Sequence, residues 1–247
     1  MKLNTKGSLL ADRTLQVLLL FEKNKKLTLM EISRKLQISH TAAYRIVMSL
    51  QNYGFLVRDE NKNYILSSIF LRFARMVETD LRQKALPVLQ ELAKTTLESA
   101  YLSVSHRIDH YVFIEGVVSP LPLKWSAEIG GFDVSYAGSA GKVHLSLYDD
   151  KKIEEYFRQN PLTPFTSSTK TEAELWEEIR RIRREGYAVS YGERVEGVIG
   201  VSVPVINYTD SSKSVVLSLF LPASRANEEK IRSFIHALKT AAEKIPS

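Results

Sequence analysis

The chain has 247 residues, of which 44% are hydrophobic, and its formal net charge is +6. This length allows one or two domains with a packed core. The chain has no cysteine, which excludes disulfide scaffolds, thiolate zinc sites and cysteine nucleophiles and fits a cytoplasmic protein. No apolar run approaches the ~18 residues of a membrane span. Asp12, Arg13 and Gln16 interrupt the apolar stretch near the N-terminus, so we expect a packed helix there, not a signal peptide, and no membrane partner.

The positive charge is unevenly distributed along the chain. Residues 1–66 contain 11 Lys/Arg and 5 Asp/Glu, whereas residues 67–247 contain 23 of each. All of the excess positive charge therefore lies in the N-terminal quarter. A compact basic module attached to a neutral body suggests a polyanion as the partner of that module.

Three helices are predicted first. Thr28 caps the second helix and forms a capping box with Glu31. After the short "QIS" turn, Ser39 is a good N-cap for a third helix over 40–53, which ends before Gly54. The first helix, over 12–22, has four inward candidates: Leu15, Val17, Leu18 and Leu19. The i, i+3, i+4, i+7 spacing predicts that the third helix buries Ala43, Ile46, Val47 and Leu50.

Two short strands follow, "FLVRD" and "NYILS", joined by the polar turn "ENKN". Three helices followed by such a β-hairpin form the winged helix-turn-helix layout, in which the third helix enters a major groove of DNA. The predicted partner is double-stranded DNA, and affinity should fall steeply with salt. The predicted DNA-binding residues, which lie on the outer side of the third helix, at the caps, on the second helix and in the wing, are Thr28, Arg34, Ser39, His40, Thr41, Tyr44, Arg45, Ser49, Arg58 and Lys62.

The rest of the chain predicts a helical connector and a mixed domain. Residues 67–80 are predicted to be helical, because Pro/Gly/Ser clusters are absent. Pro87 fits best near the start of the next helix, and Pro204 inside a strand indicates an edge position or a bulge. Strands are predicted over 99–106, 110–118, 187–191, 197–206 and 213–221, and helices over 139–148, 150–159, 171–185 and 224–244.

This order of elements predicts an α+β fold with three parts. A winged helix-turn-helix domain spans 1–66 and a helical connector spans 67–80. An antiparallel sheet flanked by helices occupies 81–247.

Catalytic chemistry has little support in the sequence. His106 and His110 have the spacing of a helical metal pair but flank a predicted hairpin turn, so exposed turn histidines are favoured. No acid/base pair stands out among Asp133, Glu193 and Glu196, and no nucleophile is recognisable beside a histidine. No cofactor or metal is predicted.

Two further stretches could suggest anion or nucleic-acid binding. "AGSAGKVHL" lacks the residues of a P-loop and indicates a small-residue loop running into a helix, whose N–H groups could hold an anion. In "ELWEEIRRIRREGY" a salt-bridged, solvated face is favoured over a nucleic-acid patch, with Glu177 four residues before Arg181.

The order of these features resembles the IclR family of transcriptional regulators over essentially the whole chain. "LTLMEISRKLQISHTAAYRIVMSLQNYGFLVRDENKNYIL" resembles the family's N-terminal stretch, with Arg45, Leu50, Gly54, Tyr64 and Leu66 matching position by position. "AGSAGKVHLSLY", "REGYAVSYGERVEGVIGVSVPVIN" and "VVLSLFLPASR" resemble three C-terminal signatures in the family's order.

The resemblance implies a GAF-like domain that binds a small-molecule effector of unknown identity. It also implies subunits that pair through the N-terminal region as a homodimer or a dimer of dimers, on a palindromic operator. Ser190 stands where the family frequently has an acidic residue, and Gly200 stands where it can have a cysteine, so no known effector is carried over. The residues that the resemblance places around the effector are Trp125, Asp133, Ser139, Ala140, Ser190, Gly200, Ser218 and Phe220.

The leading hypothesis is a sequence-specific DNA-binding transcriptional regulator controlled by a small molecule. Two alternatives stay open at this point. One is a small-molecule-binding enzyme or sensor with an accessory DNA-binding module. The other is a DNA-coating protein without an effector.

Overall fold

The computed structural model describes residues 7–206 and 212–245. The chain divides into two compact units, Met1–Val77 and Glu78–Ser247, so the boundary falls inside the predicted connector, 67–80. The predicted domains also include residues 1–6, 207–211 and 246–247, which lie outside the described residues. Within the described residues, none of the helices combines the length and the hydropathy needed to cross a bilayer.

The described part of the first unit contains four helices and a hairpin. Its helices are α1 (Leu9–Leu19), which continues as a 3-10 turn over Leu20–Glu22, α2 (Leu29–Leu36), α3 (His40–Asn52) and α4 (Ile69–Met76). Its strands are β1 (Leu56–Arg58) and β2 (Tyr64–Leu66), which pair antiparallel.

Caps define the ends of α2 and α3. Thr28 and Glu31 form both bonds of the predicted capping box at the start of α2. The Ser39 hydroxyl accepts a hydrogen bond from the Ala42 N–H at 3.2 Å and caps α3. Just beyond α3, Gly54 has φ +75°, the left-handed conformation that glycine adopts without a steric cost. These three predictions from the sequence are confirmed.

The core of the first unit lies between α1, α2, α3 and the hairpin. The four residues of α3 predicted to face inward are all buried. Of the four inward candidates predicted on α1, Val17 is buried and Leu18 packs against the core, whereas the prediction is wrong for Leu15 and Leu19, which are 59% and 53% exposed. Residues two apart on a helix point in nearly opposite directions, so Leu15 and Leu19 lie away from the side that buries Val17.

The second unit is built on a six-stranded antiparallel sheet. Its strands are β3 (Ser99–Arg107), β4 (His110–Val117), β5 (Phe132–Val134), β6 (Ala188–Tyr191), β7 (Val198–Pro204) and β8 (Ser214–Pro222). Their order across the sheet is β5-β4-β3-β8-β7-β6. The helices of this unit are α5 (Thr79–Thr96), α6 (Gly138–Ser146), α7 (Asp150–Gln159), α8 (Glu172–Glu185) and α9 (Glu228–Ala242).

Helices cover both faces of this sheet. Helices α5 and α9 pack on one face through a cluster that includes Leu89, Leu217 and Leu238. On the other face, α6 packs against β6, β7 and β8, and α8 packs against α6. The α+β fold with an antiparallel sheet is therefore confirmed.

Of the two prolines with a predicted position, Pro87 lies where the sequence did not predict it, and Pro204 lies at an edge only locally. Pro87 is inside α5, not near its start, because Ala85 and Leu89 on either side of it are buried and packing holds the helix through the proline. Pro204 ends β7, which lies between β6 and β8 and is not an edge strand. The β6–β7 ladder reaches only to Ser202, so Pro204 is beyond it and removes no donor from it.

Candidate nucleic-acid interface and ligand cleft

The side of α3 opposite its buried residues is exposed. His40, Thr41, Tyr44 and Arg45 form this surface, which we call the α3 outer face, and Tyr44 is 48% exposed. Residues 40 and 44, and likewise 41 and 45, are four apart and therefore adjacent on the helix. Ser49 lies one turn further along, and its hydroxyl donates to the Arg45 carbonyl at 3.1 Å.

Local hydrogen bonds fix the turn between α2 and α3. Gln37 ends α2 in the left-handed conformation at φ +52°. The Ile38 N–H donates to the Ser33 carbonyl at 3.1 Å, and the Ser33 hydroxyl donates to the Ile38 carbonyl at 2.7 Å. Ile38 also packs against the core. This sharp turn is the geometry that lets one helix brace another on DNA.

The two cap residues predicted to contact DNA are engaged locally. The Thr28 N–H and hydroxyl donate to Glu31 at 2.7 and 2.8 Å, and these bonds lower the pKa of Glu31. The Ser39 hydroxyl already accepts from the Ala42 N–H. If Thr28 or Ser39 contacts a phosphate, it must therefore do so through a hydrogen-bonding group that the cap does not use.

Four cations of the first unit that were predicted to contact DNA are exposed. Arg34 and Arg45 lie on α2 and α3, while Arg58 and Lys62 belong to the hairpin, where Lys62 has φ +62° in the turn. The Arg58 guanidinium lies 5.6 Å from the centre of the Tyr64 ring. Among the described residues, none of these four cations forms a salt bridge. The unit therefore presents positive charge that its own carboxylates do not neutralise.

The second unit contains a small cleft beside the start of α6, which we call the ligand cleft. Its volume is about 30 Å³, roughly the space of one water molecule. It is lined by Tyr111, Trp125, Asp133, Gly138, Ser139, Ser190, Arg194, Val195, Val198 and Phe220. Five of the residues predicted to surround an effector are in this lining, whereas Ala140, Gly200 and Ser218 are not.

The residues missing from the lining lie behind it. Ala140 is buried in α6. Gly200 leaves room for its neighbours, since a Cβ there would collide with the Ser139 hydroxyl and the Phe220 ring. A side chain at position 200 would therefore push the wall of the cleft out of place.

Ser218 belongs to a buried chain of three serines. The Ser202 hydroxyl lies 2.8 Å from both the Ser139 and the Ser218 hydroxyls. Because these hydroxyls bond to one another, they are satisfied without a ligand. Ser139 is the member of this chain that also lines the ligand cleft.

Aromatic side chains fill much of the space beside the ligand cleft. The Trp125 and Phe220 rings have centroids 4.3 Å apart, and Phe113 lies 5.8 Å from Phe220. Tyr101 packs on the same cluster, and its hydroxyl accepts from the Ala127 N–H at 2.9 Å. This packing explains why the cleft is so small.

An ion pair lies across the ligand cleft. Arg194 Nε donates to Asp133 Oδ1 at 2.7 Å, and the guanidinium lies 3.9 Å from the centre of the Phe165 ring. The Tyr111 hydroxyl donates to Asp133 Oδ2 at 3.3 Å. Burial and the Asp133 charge raise the pKa of Tyr111 well above its usual value. Sequence reasoning missed Tyr111 and Arg194 as cleft residues.

Lys142, in the middle of "AGSAGKVHL", is fully buried in α6. Its ammonium donates to Glu193 Oε1 at 2.6 Å, Glu178 Oε2 at 2.9 Å and the Val189 carbonyl at 3.0 Å. Burial raises the pKa of Glu178, but Arg181 and Lys142 outweigh it and hold that pKa below its ordinary value. Since all three ammonium protons are donated within the fold, this lysine ties α6 to α8 and to the chain around β6.

The ion pairs on α8 differ from the prediction in one respect. Arg181 bonds to Glu178 and Glu185, at 2.9 and 3.4 Å, and among the described residues no salt bridge joins it to Glu177. Because Glu178 also accepts from Lys142, Arg181 extends the Lys142 network to the partly exposed side of α8.

A serine does lie beside a histidine, contrary to the interpretation of the sequence. His144 Nε2 is 2.9 Å from the Ser103 hydroxyl, and its Nδ1 is 2.6 Å from the Ser214 hydroxyl. Burial lowers the pKa of His144 to about 3, so the ring is a poor proton acceptor. His144 is enclosed with no surface for a substrate, so we interpret this contact as part of the core.

In the described part of the chain, no cluster of three or more His, Asp or Glu could hold a metal ion.

Comparisons with known proteins match both units. Residues 73–247 match the family described as bacterial transcriptional regulator IclR C-terminal, and residues 10–60 match the IclR helix-turn-helix domain. The HTH-type transcriptional regulator KipR of Bacillus subtilis (strain 168) is 28% identical over 236 residues, which cover 94% of each chain. The HTH-type transcriptional regulator KdgR of Escherichia coli (strain K12) is 27% identical over 229 residues, covering 90% of this chain and 86% of KdgR.

Solved structures agree with these matches. An IclR transcriptional regulator from Alicyclobacillus acidocaldarius superposes with a TM-score of 0.82 at 26% identity, covering 97% of this chain and 98% of that one. An IclR homologue from Microbacterium hydrocarbonoxydans, complexed with 4-hydroxybenzoate, has a TM-score of 0.82 at 23% identity and covers 96% of this chain and 97% of its own. At that identity, the second likeness shows the fold alone.

Proposed function

The chain belongs to the IclR family of bacterial transcriptional regulators, and from this membership we propose which of its surfaces carry out regulation. It is a DNA-binding transcriptional regulator. Its α3 outer face contacts base edges in the major groove, while Arg34, Arg58 and Lys62 contact phosphates on either side. Because its partner is chromosomal DNA, we expect the chain to work in the cytoplasm.

The exposure of Arg45 is the observation that supports this assignment most directly. Arg45 lies on the outer side of α3, opposite the buried Ile46 and Val47, and forms no salt bridge among the described residues. A guanidinium presented in this way can bond to guanine O6 and N7 or to a phosphate. Tyr44 and Thr41 beside it add further hydrogen-bonding groups to the same face.

We further propose that two copies of the chain pair on a palindromic operator, as a homodimer or a dimer of dimers. Apolar side chains on α1 support this, because Leu9 and Leu10 are 65% exposed and Leu15 and Leu19 are more than half exposed. Several large apolar side chains exposed on one short helix are typical of an interface between chains. Two α3 helices related by a twofold axis would reach half-sites about one helical turn apart.

The ligand cleft is the proposed effector site. Its aromatic lining and its few convergent polar groups are features of small-molecule sites. The Microbacterium hydrocarbonoxydans homologue was solved with 4-hydroxybenzoate. For the present chain we expect only that the ligand is a small organic molecule. Because the cleft holds roughly one water, a ligand must displace part of its wall.

Fluorescence anisotropy with the chain's own promoter DNA tests the DNA-binding assignment. We expect Arg45→Ala to weaken specific binding about tenfold or more, because it removes a charged contact to a base or phosphate. Arg232→Ala, which changes an exposed arginine of the second unit, is the matched control and should bind like the wild type.

The same assay over a salt series tests the phosphate contacts. Raising salt from about 50 to 200 mM should lower the affinity by roughly 10³-fold if the paired units neutralise six or more phosphates. Binding that does not change with salt, or no binding at micromolar protein, would contradict the proposed function. Unchanged binding by Arg45→Ala would contradict the assignment of the α3 outer face alone.

A further inference from the structure

The ion pair between Arg194 and Asp133 suggests what the ligand cleft selects. We propose that Arg194 recognises an anionic group of the effector, a carboxylate, and that Asp133 occupies that position when no ligand is bound. This inference rests on the proposed effector site and names its ligand class. The two residues are 61 positions apart in the chain and meet at this cleft.

Arg194 has donors to spare. Within the described residues it donates through Nε alone, and its side chain is 37% exposed. A guanidinium has five N–H donors in a planar fork that matches both oxygens of a carboxylate. The Phe165 ring, 3.9 Å away, supports the plane of the fork. A ligand carboxylate can therefore form more bonds to Arg194 than Asp133 does.

Asp133 is nearly saturated. Its Oδ1 accepts from Arg194 and from the Val134 N–H at 2.8 Å, and its Oδ2 accepts from Tyr111. A cationic ligand would find few free lone pairs on this carboxylate. When the Arg194 side chain turns away, Asp133 still accepts hydrogen bonds from the Val134 N–H and the Tyr111 hydroxyl. Opening the ion pair therefore does not leave the Asp133 carboxylate without hydrogen-bond donors.

The backbone that carries Arg194 is held in place. The preceding residue, Glu193, is buried and bonds to Lys142 at 2.6 Å. The Thr166 hydroxyl donates to the Gly192 carbonyl and the Thr169 hydroxyl to the Glu193 carbonyl, each at 2.7 Å. Moving this loop as a body would break a buried ion pair. Moving the Arg194 side chain would break only its partly exposed contacts with Asp133 and Phe165. The side chain is therefore the part that responds to a ligand.

Three probes with one ring and different head groups test the charge preference: benzoate, benzamide and benzylamine. Titration calorimetry of the full chain should show benzoate binding at least tenfold more tightly than the other two. Asp133→Asn removes the competing carboxylate and should raise benzoate affinity about two- to fivefold, the range of a partly exposed ion pair. Arg194→Gln should weaken benzoate binding about tenfold or more and should not weaken benzamide binding.

Arg194→Lys keeps the charge and removes the fork, so it should retain part of the benzoate affinity. It also serves as a second variant if Arg194→Gln proves unstable. The inference is overturned if benzoate binds neither the wild type nor Asp133→Asn, if benzamide or benzylamine binds the wild type equally well, or if Arg194→Gln keeps full benzoate affinity. Neutral or cationic binders that still release promoter DNA would leave the proposed function standing while refuting anion selection.

Discussion

Lys142 balances negative charge in the interior of the second unit. Its ammonium is fully enclosed, and both of its carboxylate partners come from other elements of the fold. A buried ammonium group is tolerated only when all three of its protons are donated in hydrogen bonds, because an unpaired buried charge is strongly unfavourable. The Glu193 carboxylate, 3% exposed, relies on this lysine in return.

We expect Lys142→Met to lower the free energy of unfolding by about 3–5 kcal/mol, because it leaves the Glu193 carboxylate buried without its cation. Urea denaturation measures the change. Lys152→Met, at a side chain that is 64% exposed, is the matched control and should change stability by no more than about 0.5 kcal/mol. A loss below about 1 kcal/mol for Lys142→Met would show that Glu193 is neutral or hydrated in the folded protein.

At the scale of single elements, the sequence predicted the helices of the first unit because local chemistry decides them. The ends of these helices are set by local groups, namely the caps at Thr28 and Ser39 and the left-handed Gly54, and do not depend on the rest of the fold. Strand β5 was not predicted, since three residues at an edge carry too short a pattern. Pro87 was misplaced because packing on the sheet outweighs the usual cost of proline inside a helix.

Among the described residues, capping boxes of the same composition begin α2 and α8, with Thr28 and Thr171 as the N-caps. We expect Thr28→Ala to destabilise the first unit by about 0.5–2 kcal/mol and to weaken promoter binding in proportion, because α2 braces the α3 outer face. Thr171→Ala removes the equivalent cap from the second unit and should leave promoter binding unchanged. Thermal unfolding and anisotropy measure the two effects. Equal loss of promoter binding in both variants would contradict a local role for α2.

At the scale of the whole molecule, acid should destabilise the protein through His144. The ring is held neutral in the fold, where burial lowers its pKa to about 3, while an unfolded histidine titrates near 6.5. Below pH 6.5 the unfolded chain therefore binds more protons than the folded one, and stability falls as the pH is lowered towards 3. This residue alone should contribute a loss of about 2 kcal/mol between about pH 7 and pH 5.

Denaturant unfolding at about pH 7 and pH 5 measures this loss. His144→Gln should remove about 2 kcal/mol of the difference between the two pH values, even if the variant is less stable at both. His236→Gln, at an exposed position on α9, should keep the difference. A pH dependence that is the same in the wild type and in His144→Gln would mean that the ring is protonated inside the fold.

The candidate sites could be predicted from the sequence to different degrees. The α3 outer face follows from helical period and charge, both of which are local properties. Five residues of the ligand cleft were named from a family resemblance, but Tyr111 and Arg194 were not, because sequence spacing does not show which loops the sheet brings together. The small volume of the cleft could not be predicted from the sequence either, because it results from how Trp125, Phe113 and Phe220 pack in three dimensions.

The position of Trp125 provides the protein with a built-in optical reporter. The chain has two tryptophans, and the other, Trp176, is on α8 against Phe157, away from the cleft lining. Replacing Trp176 with phenylalanine would leave one indole, 4.3 Å from the Phe220 ring. Its emission would then change when a molecule enters beside it, so occupancy could be followed in unlabelled protein, with or without an operator present.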